Sequence, residues 1–252
     1  MTIDLTNKNI LVTGASRGIG RAIAEALAKS GARVAVHYNH NREEAEALAA
    51  QIGNGSRAFG ADLGTGDGPL QLWEQVTDAF GKVDVLINNA GVAISSDMEK
   101  DDTDWLHDWG HTMMVNLNAT ALLCKKAVAH FKQQGGGRII SISSRAAFRG
   151  DTADYLAYAA SKGGMVALTR SLARAYGKQG IKAFIIAPGF TRTDMAQDFM
   201  DQYGEDYALN DIALNKLTEP ADIAPTIVFL ASGLADHATG STIDINAGSY
   251  VH

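Results

Sequence analysis

The sequence predicts an α/β fold, a doubly wound parallel sheet of about seven strands with helices on both faces. The first observation is that short apolar runs alternate with helical patterns along the whole chain. The second is that these runs are continuously apolar, as expected when both faces of a parallel sheet are covered. The third is that no shift in composition divides the chain, so we expect residues 1–252 to form a single domain.

Each element of this fold corresponds to its own run of residues. The apolar runs are predicted to be the strands: Ile10–Val12, Arg33–His37, Arg57–Gly60, Val83–Ile87, Arg138–Ser143, Lys182–Ala187 and Thr242–Ile245. The runs with helical spacing are Arg21–Ser30, Glu43–Ile52, Leu70–Phe80, a long helix over Asp104–Gln133 that is broken near its start, Tyr155–Gly177 and Pro220–Ala231. Gly31 is expected to end the first helix, because glycine readily takes the left-handed conformation found there. Residues 189–217 are the longest irregular region, and because long irregular regions are often lids or binding loops, we expect this one to be a lid.

Composition and charge narrow the classes of function. The net charge of −6 argues against a nucleic-acid partner, because such proteins present a basic face. Cys124 is the only cysteine, which rules out a disulfide within the chain and a cysteine-based zinc site; we expect no metal site and a core position for Cys124. The N-terminus lacks a signal-peptide pattern, and no window reaches the length of a membrane span. A cytoplasmic protein without a membrane partner is therefore expected.

A glycine-rich turn, Thr13–Gly20, joins the first strand to the first helix. Glycines let the backbone approach a ligand closely, and the free N–H groups at a helix start attract an anion. The spacing is Gly14-x-x-x-Gly18-x-Gly20, which differs from the commonest dinucleotide fingerprint. The turn by itself is consistent either with a pyrophosphate site or with an ordinary tight turn.

Tyr158 and Lys162 are four residues apart, which places both side chains on one face of a helix. A lysine ammonium beside a phenol is expected to lower the pKa of the tyrosine from about 10, so that it exchanges a proton near neutral pH. Ser144 follows the strand Arg138–Ser143, at the sheet edge where ligands of open α/β sheets bind. Its hydroxyl can donate to a carbonyl oxygen.

Taken together, these motifs resemble those of the short-chain dehydrogenase/reductase family over essentially the whole chain, including its 3-oxoacyl-carrier-protein reductases. The matching residues are Thr13-Gly14-x-x-x-Gly18-x-Gly20, Asn88-Asn89-Ala90-Gly91, Asn116, Ser144, Tyr158-x-x-x-Lys162 and Pro188-Gly189. The resemblance implies a Rossmann-like fold and an NAD(P)-dependent oxidoreductase that interconverts a carbonyl and an alcohol by hydride transfer.

The resemblance also implies the catalytic roles. Tyr158 is expected to be the acid in carbonyl reduction and the base in alcohol oxidation. Lys162 holds the nicotinamide ribose, Ser144 binds the substrate oxygen, and Asn116 holds a water that links Lys162 to solvent. Ser144 precedes Tyr158 by 14 positions, whereas many members use one fewer, so we expect a loop longer by one residue and prefer Ser144 to its neighbour Ser143.

The cofactor contacts follow from the same resemblance. They are Gly14, Ser16, Arg17, Gly18, Ile19, Gly20, Tyr38, Asn39, Asp62, Leu63, Asn89, Ala90, Gly91, Tyr158, Lys162, Pro188, Gly189, Thr191 and Thr193. Within this set, Asp62 is expected to bind the adenine, and Pro188-Gly189 with Thr191 or Thr193 the nicotinamide carboxamide. Asn88 and Gly91 are expected to lie along the adenosine and its ribose.

The end of the second strand predicts the choice of cofactor. NAD-dependent enzymes usually place a carboxylate there for the ribose hydroxyls, and Tyr38-Asn39 supplies none. Arg17, within the glycine turn, is suited to bind a 2′-phosphate, although it can equally be a solvated loop arginine. We therefore expect NADP(H) to be preferred and NAD(H) to be possible.

The sequence leaves the substrate open between a small ketone, sugar or polyol and a 3-oxoacyl thioester. Arg145 and Arg149 can bind an anionic substrate, or pair with Asp151 or Asp154. A homotetramer (or homodimer) is expected from the family, and close packing at such an interface would explain the helical pair Gly163-Gly164.

Two other functions remain possible at this stage. One is a non-catalytic NADP-binding sensor or scaffold on the same fold, and the other is a methyltransferase. The intact set of Ser144, Tyr158 and Lys162 argues against both, because neither function needs it.

Overall fold

The computed structural model describes residues 2–194 and 209–251 of the protein. The strands of this part of the chain are β1 (Asn9–Val12), β2 (Arg33–Tyr38), β3 (Arg57–Gly60), β4 (Val85–Asn88), β5 (Gly137–Ile142), β6 (Ile181–Pro188) and β7 (Thr242–Ile245). They form one sheet in the order β3-β2-β1-β4-β5-β6-β7, and every neighbouring pair is parallel. The predicted doubly wound parallel sheet is therefore confirmed.

Helices cover both faces of the sheet. In the described residues they are α1 (Gly18–Lys29), α2 (Arg42–Ile52), α3 (Gly68–Phe80), α4 (Asp102–Met113), α5 (Ala119–Gln134), α6 (Ala146–Arg149), α7 (Leu156–Tyr176) and α8 (Pro220–Ser232). Helices α1, α2 and α8 bury their apolar side chains against one face of the sheet, and α3, α5 and α7 against the other. None of the helices in the described ranges combines the length and hydropathy that crossing a membrane requires.

Strand β1 shows how the sheet fills both halves of the core. Ile10 and Val12 are buried on the side of α1 and α8, whereas Leu11 is buried on the side of α3 and α5. Successive side chains of a strand point to opposite faces, so an apolar run fills both layers. Burying a side chain of this size contributes about 1.5–3 kcal/mol to folding, which explains why the strands are apolar throughout.

The strand order reverses at β1, which lies between β2 and β4. The connections after β1 and after β4 therefore leave in opposite directions, and a crevice opens at the carboxyl ends of these strands. The glycine turn follows β1, Asn89–Gly91 follows β4, and Ser144 comes soon after β5. The topology thus brings the predicted motifs to one edge of the sheet.

Two helices differ from their predicted course. Helix α1 begins at Gly18 rather than Arg21, so the last glycines of the turn form its first turn. The long helix predicted over Asp104–Gln133 is interrupted in its middle, not near its start, by a π-helical turn, Met114–Asn118. A π-helical turn contains one residue more than an α-helical turn, and an apolar pattern does not reveal which residue is extra.

The glycine pair on α7 is explained within a single chain. A Cβ atom on Gly164 would lie 2.7 Å from Cδ2 of Leu117, so the Leu117 side chain of the π-helical turn fills the space beside this glycine. A Cβ on Gly163 would meet its nearest neighbour only at 3.8 Å. The predicted close packing therefore occurs at Gly164 against the same chain, and a second copy is not needed to explain it.

Candidate active site

A cleft of about 680 Å³ opens at the carboxyl ends of the central strands. All the predicted cofactor contacts line it except Asp62. The Asp62 carboxylate accepts a hydrogen bond from the Gly64 backbone N–H at 2.8 Å, which stabilises the turn after β3. Its contact with adenine stays a prediction. Three of the four predicted catalytic residues, Ser144, Tyr158 and Lys162, also line the cleft.

The glycine turn requires its glycines for different reasons. Gly14 and Gly18 have φ angles of +62° and +55°, in the left-handed region that side chains disfavour. A Cβ on Gly20 would lie 2.2 Å from the carbonyl oxygen of Gly14, so a larger residue would force the turn apart. From the other side, the Asn89 side chain donates to the carbonyl oxygens of Thr13 at 2.8 Å and of Gly14 at 3.0 Å.

The start of α1 has the properties of an anion site. Its N-cap residue, Arg17, makes no capping hydrogen bond through its side chain. The N–H groups of the first turn, Gly18–Gly20, have no partner within the helix, and they line the cleft at the positive end of the helix dipole. The pyrophosphate of a dinucleotide fits this arrangement in charge and in hydrogen bonding.

His37 is a cleft residue to which the sequence analysis gave no role. It is buried, its Nδ1 accepts from the Gly14 N–H at 2.9 Å, and its Nε2 lies 3.0 Å from the Ala61 carbonyl oxygen. Burial lowers the pKa of His37 to about 4. The available signal was a histidine in an otherwise apolar strand that the sheet order places beside the glycine turn.

Tyr158 and Lys162 lie on the same face of α7, with the lysine Nζ 5.6 Å from the centroid of the tyrosine ring. Burial raises the pKa of Tyr158 to about 12; a hydrogen bond from Ser144 opposes this rise, and the charge of Asp151 adds to it. The sequence predicted a pKa below 10 for Tyr158, and this prediction is wrong. The loss of hydration of the phenolate raises the pKa by more than the favourable interactions lower it. Tyr158 is a protonated phenol at neutral pH, which is the form that an acid requires.

Lys162 is itself buried, and its Nζ donates to the carbonyl oxygen of Ile142 at 2.9 Å. Burial lowers the pKa of Lys162 to about 8, because the ammonium loses its hydration. The two neighbouring serines differ in their contacts. The Ser144 hydroxyl acts to lower the pKa of Tyr158 and accepts from the Ala146 N–H at 3.1 Å, whereas the Ser143 hydroxyl donates to the Lys162 carbonyl oxygen at 3.0 Å. Of the two serines, Ser144 is thus the one that acts on the tyrosine hydroxyl.

Asn116 lies in the π-helical turn and does not line the cleft. Its side chain pairs with both backbone groups of Val92, accepting from N–H at 2.8 Å and donating to C=O at 2.9 Å, and it also donates to Ser161. A Cβ on Gly91 would lie 3.2 Å from both Asn116 Oδ1 and Lys162 Nζ. The side chain therefore fixes the segment after β4 beside the lysine, and the predicted water stays a prediction.

Asn88 does not lie along the cleft as expected. It is buried, and its Nδ2 donates to the Cys124 Sγ of α5 at 3.4 Å. Residues of a strand alternate between faces, and this position points into the helical layer. Burial raises the pKa of the Cys124 thiol to about 12, so it is an unreactive core group, in keeping with its predicted core position.

Arg145 and Arg149 meet at the substrate end of the cleft. Each donates from Nη1 to Oδ2 of Asp211, at 2.5 Å and 2.7 Å, and Asp151 adds a negative charge near both. The Arg145 guanidinium also lies 4.9 Å from the centroid of the Phe190 ring. Asp211 was not predicted as their partner, because nothing in the sequence shows which carboxylate of a long irregular region folds back onto α6.

The predicted lid, residues 189–217, is described in part. A backbone bridge between Thr191 and Thr218 joins its two ends. Arg17 of the glycine turn pairs with Asp194 at 3.0 Å, and both side chains are exposed. Residues 195–208, which include most of the acidic residues of the lid, lie outside the described part of the chain.

The Rossmann-like sheet has an anion site after β1, and a Ser–Tyr–Lys cluster lies in the same cleft. Together these features define an NAD(P)-dependent oxidoreductase that acts on a carbonyl or an alcohol. The sequence profile of the family described as Enoyl-(Acyl carrier protein) reductase matches residues 14–250. The chain belongs to the short-chain dehydrogenase/reductase family.

Individual relatives span the whole chain. The 3-oxoacyl-(acyl-carrier-protein) reductase FabG of Staphylococcus epidermidis is 37% identical over 248 residues, which cover 97% of this chain and 100% of the relative. A dehydrogenase/reductase structure from Sinorhizobium meliloti aligns with a TM-score of 0.90 at 35% identity, covering 99% and 98% of the two chains. A short-chain dehydrogenase structure from Burkholderia cenocepacia in complex with NADP aligns with a TM-score of 0.88 at 34% identity. The alignment covers 97% of this chain and 98% of that one.

Proposed function

We propose that the protein reduces the ketone of a 3-oxoacyl thioester with NADPH, and that Tyr158 donates the proton. The observation that carries the chemistry is that the Ser144 hydroxyl and the Lys162 ammonium flank Tyr158 in the cleft that begins at the glycine turn. The substrate class is supported by relatives named 3-oxoacyl-(acyl-carrier-protein) reductases, which the chain matches over nearly its whole length.

Each catalytic side chain has one task in this proposal. The bound cofactor supplies a hydride to the carbonyl carbon. The Ser144 hydroxyl donates a hydrogen bond to the carbonyl oxygen, and Tyr158, protonated at neutral pH, transfers its proton to that oxygen as negative charge develops. Lys162 holds the ribose and stabilises the phenolate that remains. Asn116 keeps the Val92 segment against Lys162.

We propose that NADP(H) is preferred to NAD(H). At the end of β2, Tyr38 and Asn39 line the cleft without a carboxylate that would repel a 2′-phosphate. Arg17, exposed at the cleft and paired with Asp194, is the cation that can bind the phosphate. An exposed ion pair of this kind is worth only about 0–1 kcal/mol, so a phosphate can replace the aspartate at little cost. The NADP-bound relative supports the same preference.

The test is steady-state oxidation of NADPH with acetoacetyl-coenzyme A, compared with small ketones, sugars and polyols. We expect the highest kcat/KM with the thioester and with NADPH rather than NADH. Tyr158→Phe is expected to lower kcat by about 10²–10⁴-fold, the usual contribution of a positioned acid, while NADPH still binds through the other cofactor contacts. Binding of NADPH without turnover of any carbonyl would favour the sensor or scaffold function instead.

The assembly is part of the proposal. We propose a homotetramer, or a homodimer, which sedimentation equilibrium measures directly. Met98 and Leu106, before and on α4, expose 64% and 61% of their surface, as expected of apolar side chains that a second copy covers. The single domain over residues 1–252, the closure of residues 189–217 over the substrate and the cytoplasmic location stay predictions.

A further inference from the structure

His37 binds the glycine turn at two successive backbone amides. Its Nδ1 accepts from the Gly14 N–H at 2.9 Å, and its own carbonyl oxygen accepts from the Ala15 N–H at 2.8 Å. No other side chain of the described residues is hydrogen-bonded to these two amides. The turn is thus held from β2 through its N–H groups and from β4 through its carbonyl oxygens, which Asn89 binds.

The hydrogen bonds assign the tautomer of the ring. A backbone N–H can only donate, so the Nδ1 that faces Gly14 must carry a lone pair. The proton therefore sits on Nε2, which donates to the Ala61 carbonyl oxygen at 3.0 Å. The ring is 1% exposed, and burial lowers the pKa of His37 to about 4, so this neutral form persists at physiological pH. Asp62 is the charged group whose field acts on His37, and it opposes this lowering.

We infer that His37 is a positioning residue for the dinucleotide: its Nδ1 orients the Thr13–Gly14 peptide so that the N–H groups of Gly18–Gly20 face the pyrophosphate. The inference rests on the proposed function only in taking NADPH as the ligand. The N–H of Gly14 belongs to the Thr13–Gly14 peptide, and its carbonyl oxygen to the next peptide, Gly14–Ala15, whose N–H binds the His37 carbonyl oxygen. The Gly14 carbonyl oxygen lies 2.2 Å from the position that a Cβ of Gly20 would take. A rotation of the Thr13–Gly14 peptide displaces Gly14 and its carbonyl oxygen, and therefore moves the first turn of α1.

Two substitutions of similar size separate the two ring nitrogens. Asparagine places its carboxamide oxygen near the position of Nδ1, so His37→Asn keeps an acceptor for Gly14 and loses the bond to Ala61. Glutamine reaches the position of Nε2, so His37→Gln keeps the bond to Ala61 and leaves the Gly14 N–H unpaired. Both variants lose one buried hydrogen bond, so a purely structural role predicts equal effects.

The experiment measures the NADPH dissociation constant by calorimetry and kcat at saturating NADPH for the wild type and both variants. We expect His37→Gln to weaken NADPH binding about tenfold, since an unpaired buried N–H lets the turn rotate, and His37→Asn to remain within about twofold. The kcat of both variants should stay near that of the wild type. Equal losses in the two variants, or wild-type affinity in His37→Gln, would overturn the inference. Failure of the wild type to bind NADPH would instead refute the proposed function.

The wild-type protein provides a second measurement in case His37→Gln does not fold. Long-range ¹H–¹⁵N spectra distinguish protonated from unprotonated ring nitrogens, and the spectrum of His37→Asn identifies the His37 signals. An unprotonated Nδ1 whose resonance shifts when NADPH is added supports the inference. A protonated Nδ1, or one that does not respond to NADPH, overturns it.

Discussion

Replacing Lys162 with methionine should abolish carbonyl reduction and at the same time stabilise the fold. Burial lowers the pKa of Lys162 from 10.5 to about 8, so the folded protein holds the charged form less favourably than the unfolded chain does. This difference amounts to about 3 kcal/mol at neutral pH, since each tenfold change in proton affinity equals about 1.4 kcal/mol. Methionine removes this cost but leaves the Ile142 carbonyl oxygen without its donor, a loss of about 1 kcal/mol.

The expected net effect of Lys162→Met is therefore a gain of about 2 kcal/mol in the free energy of unfolding at pH 7. The gain must depend on pH. Between pH 8 and 10.5 the unfolded chain binds more protons than the folded one, so wild-type stability rises with pH through this window. The variant lacks that rise, and its advantage should shrink by about 2 kcal/mol on going to about pH 9.5.

Urea titrations followed by tryptophan fluorescence, at pH 7 and at about pH 9.5 with fixed protein concentration, measure both quantities. The matched control is Lys125→Met on α5, where the lysine is exposed and its removal should leave the free energy of unfolding nearly unchanged. The reasoning would be refuted if Lys162→Met were less stable than the wild type at pH 7. A stability gap that stayed constant between the two pH values would refute it equally.

Three further predictions concern other parts of the molecule. Ser144→Ala should lower kcat by about 10²-fold in NADPH-dependent reduction, whereas Ser143→Ala, whose hydroxyl only caps a backbone carbonyl, should mainly lower the melting temperature. In urea unfolding, Gly163→Ala should stabilise the protein by up to about 1 kcal/mol, whereas Gly164→Ala should stabilise it less, because its Cβ would meet Cδ2 of Leu117 at 2.7 Å and that side chain must shift. Asp211→Asn removes the carboxylate shared by two guanidinium groups and should raise the KM of the carbonyl substrate severalfold with an unchanged NADPH dissociation constant; equal changes in both would contradict this.

The sheet was predictable because its causes are local. An apolar run such as that in β1, followed by glycines and then by helical spacing, specifies a strand, a turn and a helix without knowledge of distant residues. The same holds for Tyr158 and Lys162, since spacing along one helix sets their relation. For β3 (Arg57–Gly60) and β7 (Thr242–Ile245), even the ends matched the sequence pattern.

What the sequence did not reveal depends on contacts between distant segments. The net pKa of Tyr158 follows from burial, which spacing does not report, so the predicted direction was wrong. His37 and Gly14 are joined across two strands, and the link between Arg145 and Asp211 crosses from α6 to the irregular region. The extra residue of the turn Met114–Asn118 likewise lies beside a long-range contact, because Asn116 in this turn pairs with Val92 on another segment.

The π-helical turn has a consequence for how the protein tolerates insertions and deletions. Deleting one residue from Met114–Asn118 would leave a regular helix with its backbone hydrogen bonds complete, so the helix itself would lose little. It would, however, turn every side chain on one side of the deletion by about 100°, one step of an α-helix. Asn116 would then no longer face Val92, or Leu117 would no longer fit against Gly164. One surplus amino acid thus sets how the side chains of α5 are rotated relative to those of α4, so a deletion here would disturb contacts with other segments although the helix itself stayed intact.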